Sequence, residues 1–312
     1  MTSPAIVIAG PTASGKSGLA LAIAREFGGV VINADSMQVY SVLRVLTARP
    51  SPEDEAAAPH RLYGVLHPSE LCSAARWRDL AAAEMAAAWA AGLVPVVVGG
   101  TGLYLRTLMA GISPVPEIPD AIRAESRARL AKLGNAAFHA ELAARDPVMA
   151  ARLDPGNSQR LARAWEVLAA TGRSLAEWQA EPPEGAVAAR WCRLALLPGR
   201  EALYAACDGR FRRMVETGAL DEVRDLMALG LDPALPAGKA LGVPELAAFL
   251  AGETPLEEAV AGATRATRNY AKRQLTWFRH QFPADMGVAE QFSESLAEKI
   301  FPFIRQFLLT EA

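Results

Sequence analysis

The chain has 312 residues, 51% of them hydrophobic and 21% charged, which excludes a disordered or collagen-like polymer and allows one large or two ordinary domains. Its formal net charge of −2 neither requires nor excludes a nucleic-acid partner. The three cysteines, Cys72, Cys192 and Cys207, are far apart and lack paired histidines nearby, which argues against a zinc site or a disulfide framework and suits a reducing compartment.

No apolar run is long enough to span a membrane, and no basic region precedes the apolar N-terminal stretch. Met1 to Gly10 therefore reads as a first strand rather than a signal peptide, and a cytoplasmic protein without membrane contact is expected. The apolar run Ala5–Ala9 has the pattern of a buried parallel strand. A helix is predicted over Gly18–Phe27, a second strand over Val30–Ile32, a helix over Ala74–Ala91 and a third strand over Leu93–Val98. This alternation is that of an α/β parallel sheet, in which ligands gather at the carboxyl ends of the strands.

The pattern changes at Ser113, where SPVPEIPD carries three prolines and reads as a linker. From about 121 to 180 only helices are expected, with nine Lys or Arg against five Asp or Glu between 121 and 173. Arg193–Leu197 then reads as a strand returning to the sheet. The expected organisation is a P-loop core at 1–115 and 190–285, an all-helical insertion domain at 116–189, and a C-terminal amphipathic helix at 286–312.

Gly10-Pro11-Thr12-Ala13-Ser14-Gly15-Lys16-Ser17 matches G-x-x-x-x-G-K-[ST] between a strand and a helix. Its glycines allow a backbone wrap that aims N–H groups at phosphate oxygens, at the positive end of a helix. Lys16 would reach the terminal phosphates and the Ser17 hydroxyl would hold Mg²⁺. Kinases, ATPases and GTPases share such a loop, so the phosphate's owner stays open. Asp35, in NADSMQVY after the second strand, suits a proton acceptor across the crevice. It equally suits a helix N-cap, or the grip of a kinase on a small hydroxyl substrate. At the third strand end, VVVGGTGLY offers Gly99, Gly100 and Thr101 where a metal-holding aspartate stands in many NTP-hydrolysing enzymes.

GPTASGKS, NADSMQVY and VVVGGTGLYL, in this order and spacing, resemble the bacterial tRNA dimethylallyltransferases. Asp154–Val167 is similar to the insertion segment of that family, and Thr267–Arg279 to its C-terminal signature, so the likeness spans about 3–282. The resemblance implies transfer of a dimethylallyl group from its diphosphate to N6 of the adenosine beside the tRNA anticodon. It implies Mg²⁺ as cofactor, and as partners the anticodon stem-loop and dimethylallyl diphosphate. Asp35 would be the base, Thr12 and Thr101 would contact substrate, and Arg210 would bind diphosphate beside Lys16. Contacts to tRNA would come from Asp35, Ser36, Met37 and Gln38, from Gln159, Arg160, Leu161 and Arg163, and from Thr267, Arg268, Lys272, Arg273 and Gln274. A monomer is expected. The rival readings are an adenylate isopentenyltransferase acting on free AMP, ADP or ATP, a P-loop small-molecule kinase, and a non-catalytic RNA-binding protein with a relict loop.

On one helix, Arg265, Arg268, Lys272 and Arg279 fall within an arc of about 60°, with Tyr270 and Trp277 on the other side. Such a stripe alone suits a solvated helix face; beside the other motifs it points to phosphate-backbone contact, with the aromatics turned inward. Asp154-Pro155 is expected to start a helix, with Asp154 as its cap. Trp77, Trp89, Trp165 and Trp178 read as core, and the four histidines as unassigned. Two stretches depart from the family pattern. Lys239–Glu245 lacks the usual tyrosine and lysine, and Pro244 removes a backbone donor. Thr47–Pro50 lies where a glycine is usual.

Overall fold

The computed structural model describes residues 2–310, so Met1 of the expected first strand and Glu311 and Ala312 of the expected last helix lie outside the described residues. The chain forms two compact units, one running to Met109 and resuming at Val187, the other spanning Ala110–Ala186.

The first unit is built on strands β1 (Pro4–Ala9), β2 (Gly29–Asn33), β3 (His60–Arg61), β4 (Val94–Gly99), β5 (Arg190–Leu196) and β6 (Met286–Val288). All pair in parallel, in the order β3-β2-β4-β1-β5-β6. Runs such as AIVIA and PVVVG are buried throughout, because a parallel sheet is covered on both faces. Ile6, Ile8, Val96 and Leu194 face one apolar cluster, while Ala5, Val7, Val97 and Ala195 face the other.

Helices α1 (Lys16–Phe27), α2 (Pro52–Ala57), α3 (Ala74–Ala90) and α4 (Gly102–Ala110) connect the first strands. Helix α1 begins at Lys16, earlier than expected, because Gly15 at φ 86° is its N-cap residue and the phosphate loop runs straight into its first turn. Helix α3 carries Trp77, fully buried, whose indole N–H donates to the Asn33 carbonyl at 2.9 Å and whose ring stacks on Tyr104 at 4.5 Å.

Helices α5 (Asp120–Arg145, broken at Gly134), α6 (Pro147–Ala150), α7 (Ser158–Thr171) and α8 (Leu175–Trp178) make up the second unit. They enclose a core of their own around Phe138, Leu142, Leu161 and Trp165. The boundary falls at Ala110 rather than at 116, because Ile112 and Glu184 exchange backbone hydrogen bonds at 2.9 Å and close the unit ahead of the proline-rich stretch. Leu161, expected to touch RNA, is instead fully buried in this core, as an apolar side chain on the inner face of α7 must be. Asp154 does not cap a helix: its carboxylate accepts from Gly156 N in a tight turn, and Asn157 caps α7 by accepting from Arg160 N.

The remaining helices of the first unit are α9 (Arg200–Glu216), α10 (Ala219–Ala228), α11 (Val243–Leu250), α12 (Leu256–Gln281) and α13 (Glu294–Leu309). The segment expected to be helical from 286 begins instead with β6, and α13 starts only after Ser293, which caps Leu296 N. Three residues docked on β5 are too few for periodicity to reveal. Pro244 is harmless where it stands, in the first turn of α11, where its missing N–H would have had no helical partner.

Candidate active site

Strands β1, β2 and β4 end side by side, and their C-terminal residues build the site. After β1, the loop Gly10–Ser17 turns on Ala13 at φ 63° and Gly15 at φ 86°. The Ser14 N–H bonds to Pro11 O at 3.2 Å, and Lys16 Nζ donates to the same carbonyl at 3.3 Å. Gly10 must lack a side chain, since a Cβ there would lie 2.7 Å from Leu196 O on β5.

After β2, the fully buried Asn33 organises the acidic turn. Its side-chain amide donates to Asp35 O and Leu62 O, both at 3.0 Å, while its Oδ1 accepts from Asp35 N at 2.8 Å. Asp35 Oδ1 in turn accepts from Met37 N at 3.0 Å, so Asp35 closes a turn and does not cap a helix. Its other carboxylate oxygen has no hydrogen bond among the described residues. After β4, a Cβ on Gly99 would lie 2.1 Å from Ala34 O, so only glycine lets these strand ends approach. The Thr101 hydroxyl accepts from Ser36 N at 3.0 Å and donates to Ser36 Oγ at 3.3 Å, binding the two strand ends together.

Helices α9 and α12 close the site from above. Arg210 on α9 donates to the Thr12 hydroxyl of the phosphate loop. Gln274 on α12 accepts from Thr12 N at 2.8 Å and donates to Gly100 O at 2.7 Å, so one amide links the phosphate loop to the end of β4. Gln274 is therefore turned inward and only 6% exposed, away from the outer face on which RNA contact was expected. Thr267 is buried too, its hydroxyl donating to Ala263 O. Arg268 leaves the basic stripe to pair with Asp208 on α9 at 3.3 Å. Arg265, Lys272, Arg273 and Arg279 remain exposed, and Trp277 packs inward over Gly102.

These elements surround a cavity of about 340 Å³. Its polar lining includes Thr12, Asp35, Ser36 and Arg210, and its apolar lining includes Leu46, Phe211, Met214 and Leu241. Tyr270, expected to turn inward, also lines the cavity, as does Lys239; the apolar lining itself has no motif in the sequence. Leu46 and Thr47 are held there by two carboxamide and carboxylate clamps. Gln38 donates to Thr47 O and Ala48 O, at 2.8 and 3.0 Å. Glu222 on α10 accepts from the N–H groups of Arg44, Val45 and Leu46, at 2.6 to 2.9 Å. Ala48 stands at φ 56°, the conformation glycine adopts freely, which accounts for the glycine usual in this stretch.

The electrostatics are those of a site made for an anion. Burial pulls the Lys16 ammonium down to about 8, opposed by the Asp35 carboxylate and assisted by nearby Arg210. Burial also lowers Arg210, against the pull of Cys207 and Asp35. The Ser14 hydroxyl is buried within the loop without a partner among the described residues. Two desolvated cations, an orphaned hydroxyl and the N-terminus of α1 suit a phosphate group. Ser17 lies exposed in the first turn of α1. Among the described residues no three His, Cys, Asp or Glu cluster to hold a metal. The Ser17 hydroxyl would be the protein's ligand to a hard ion such as Mg²⁺, the rest of whose shell would come from phosphate oxygens and water.

Residues 38–281 match the family model described as IPP transferase. The chain belongs to that family. A second model, isopentenyl transferase, matches residues 4–67, the part that carries the phosphate loop and Asp35. A tRNA dimethylallyltransferase of Paramagnetospirillum magneticum is 69% identical over 99% of this chain and 98% of its own length. Another, of Rhodospirillum centenum, is 62% identical over 91% of this chain and 90% of its own. Among solved structures, the full-length tRNA isopentenylpyrophosphate transferase of Bacillus halodurans superimposes with a TM-score of 0.69 at 32% identity, covering 98% of this chain and 97% of that one. The family's insertion accounts for the second, helical unit, and its P-loop sheet for the first.

Proposed function

We propose that this chain transfers a dimethylallyl group from dimethylallyl diphosphate to N6 of adenosine 37 in the tRNA anticodon loop. One observation carries the reading: a single cavity brings together Thr12 of the phosphate loop, the Asp35 carboxylate, Arg210 and an apolar lining. The diphosphate lies on the loop amides, Lys16 and Arg210. The five-carbon tail lies against Leu46, Phe211, Met214 and Leu241. Both halves of the substrate thus find matching surfaces.

In the reaction, the bond between the allylic carbon and the diphosphate oxygen breaks as the bond from adenine N6 to that carbon forms. The leaving diphosphate gains negative charge, which Lys16, Arg210 and the loop N–H groups stabilise. The N6 proton passes to the Asp35 carboxylate, which Asn33 and Met37 hold in place. Thr101 fixes Ser36 beside it and so keeps the acidic turn aligned with the end of β4. The Ser17 hydroxyl would hold Mg²⁺, which when bound would neutralise diphosphate charge. The adenine amine is a weak nucleophile, so alignment contributes as much as proton removal. The target base leaves the anticodon-loop stack to enter the cavity. Exposed Arg265, Lys272, Arg273 and Arg279 on α12, and Gln159 and Arg160 on α7 with half-buried Arg163, take the RNA backbone. Three free thiols and the absence of any helix long and apolar enough to cross a membrane, among the described residues, support work in the cytoplasm.

The test is nucleoside mass spectrometry after incubation of the protein with Mg²⁺, dimethylallyl diphosphate and one acceptor at a time. Unmodified tRNA is expected to yield adenosine heavier by one C5H8 unit, while AMP, ADP and ATP are not prenylated. Prenylated free nucleotide would instead favour the adenylate isopentenyltransferase reading. Phosphorylated product formed from ATP would favour a kinase.

A further inference from the structure

The segment between β6 and α13 crosses the outer side of the phosphate loop, beyond the residues matched by the IPP transferase model. Gln291 places its amide Nε2 3.3 Å from Ala13 O in the loop and 3.3 Å from Ala202 O in the first turn of α9. The next residue, Phe292, donates its backbone N–H to Ser14 O at 3.4 Å. Its side chain occupies the space that two missing side chains leave. A Cβ on Gly15 would lie 2.5 Å from Phe292 Cβ, and one on Gly18 would lie 2.7 Å from its ring. Gly18 is outside the phosphate-loop motif, and this seat is the reason a glycine stands there.

A phosphate loop works only when its N–H groups turn inward, and its carbonyls must then turn outward and find donors. Gln291 and Phe292 supply donors to two consecutive outward carbonyls, those of Ala13 and Ser14. Through Ala202 the same Gln291 amide also fixes α9, whose Arg210 reaches back to Thr12 on the inner side. The loop and the arginine are thereby held in one register from opposite faces.

We propose that Gln291 and Phe292 form a strap that positions the phosphate loop and α9 to converge on the diphosphate. Both are positioning residues, acting through groups that touch the anion; the inference rests on the proposed function in placing diphosphate there. Titration of inorganic pyrophosphate with Mg²⁺ into the full-length protein measures this directly. Gln291→Glu keeps the shape but turns acceptors toward two carbonyls, and about a tenfold rise in the pyrophosphate Kd is expected. Phe292→Leu keeps an apolar side chain but empties part of the seat, and about a threefold rise is expected. The KM for dimethylallyl diphosphate should rise in parallel, with tRNA affinity unchanged and melting temperature nearly so. Pyrophosphate affinity equal to wild type in both folded variants, or a fall in melting temperature with no change in that affinity, overturns the strap's role. Failure of the wild-type protein to bind pyrophosphate would instead contradict the diphosphate site itself, and the strap's role with it.

Discussion

Removing the hydrogen-bonding ends of Gln274 tests whether one buried amide sets the site's geometry. Its oxygen accepts from Thr12 N at 2.8 Å and its nitrogen donates to Gly100 O at 2.7 Å, so both ends are fixed and the amide has a single orientation. Gln274→Leu retains similar bulk but leaves a donor and an acceptor without partners at a position only 6% exposed. Each stranded group costs about 1–3 kcal/mol, so the pair predicts a loss of about 2–4 kcal/mol once partial solvation by the cavity is allowed for. At about 2–4 °C per kcal/mol for a domain of this size, the melting temperature should fall by about 5–15 °C. Gln274→Glu separates the two bonds: a carboxylate still accepts from Thr12 but faces the Gly100 carbonyl without a donor. Its loss should be similar or larger. Thermal denaturation gives the stability and steady-state prenyl transfer gives the consequence for Thr12, expected as a higher KM for dimethylallyl diphosphate. A fall below about 1 °C in both variants, with unchanged KM, would refute the bridging role.

Other outcomes follow from the same geometry. Asp35→Asn preserves the turn to Met37 but removes the base, so transfer should slow by about 10²–10⁴-fold while pyrophosphate still binds; unaltered turnover would remove Asp35 from its role. Burial holds Lys16 near 8, below its unfolded value of 10.5, so the unfolded chain binds more protons between those values and stability rises with pH across that window. At neutral pH the buried charge therefore costs stability, and Lys16→Met should melt higher than wild type while losing pyrophosphate affinity; a lower melting temperature would contradict the assignment. Wild-type pyrophosphate binding should weaken as the pH rises through about 8, which calorimetry across that range would detect. Lys272→Glu reverses an exposed charge on α12, so tRNA binding should weaken and the salt slope of log Kd should fall by about one, with dimethylallyl diphosphate binding unchanged.

The parts of this architecture that local sequence determines were legible in it. Buried parallel strands such as AIVIA and VPVVV announce themselves as apolar runs, and GPTASGKS requires its own backbone course. The carboxyl ends of β1, β2 and β4 could thus be brought together on paper, with Asp35 and Thr101 beside the loop. Strands β3 and β6, of two and three residues, have no period to read. The direction of Gln274 depends on a partner 262 positions away in the chain, and helical angle alone could not choose between an inner and an outer role. The same holds for Arg268, diverted to Asp208, and for Glu222, whose carboxylate gathers three N–H groups from a distant loop. Leu161 shares its motif with residues expected to touch RNA, yet its apolar side chain belongs on the inner face of α7. Motif spacing names residues that matter; packing decides which way each one points.

The proposed reaction forms one specific bond, at adenosine 37, from a dimethylallyl donor. The most direct measurement is to incubate an unmodified anticodon stem-loop with the full-length protein, Mg²⁺ and dimethylallyl diphosphate, then digest the RNA and sequence the fragments by tandem mass spectrometry. One added C5H8 unit is expected, confined to the base of adenosine 37, with an equal amount of pyrophosphate released. Addition at another nucleotide, or no addition by folded protein that binds both substrates, would contradict it.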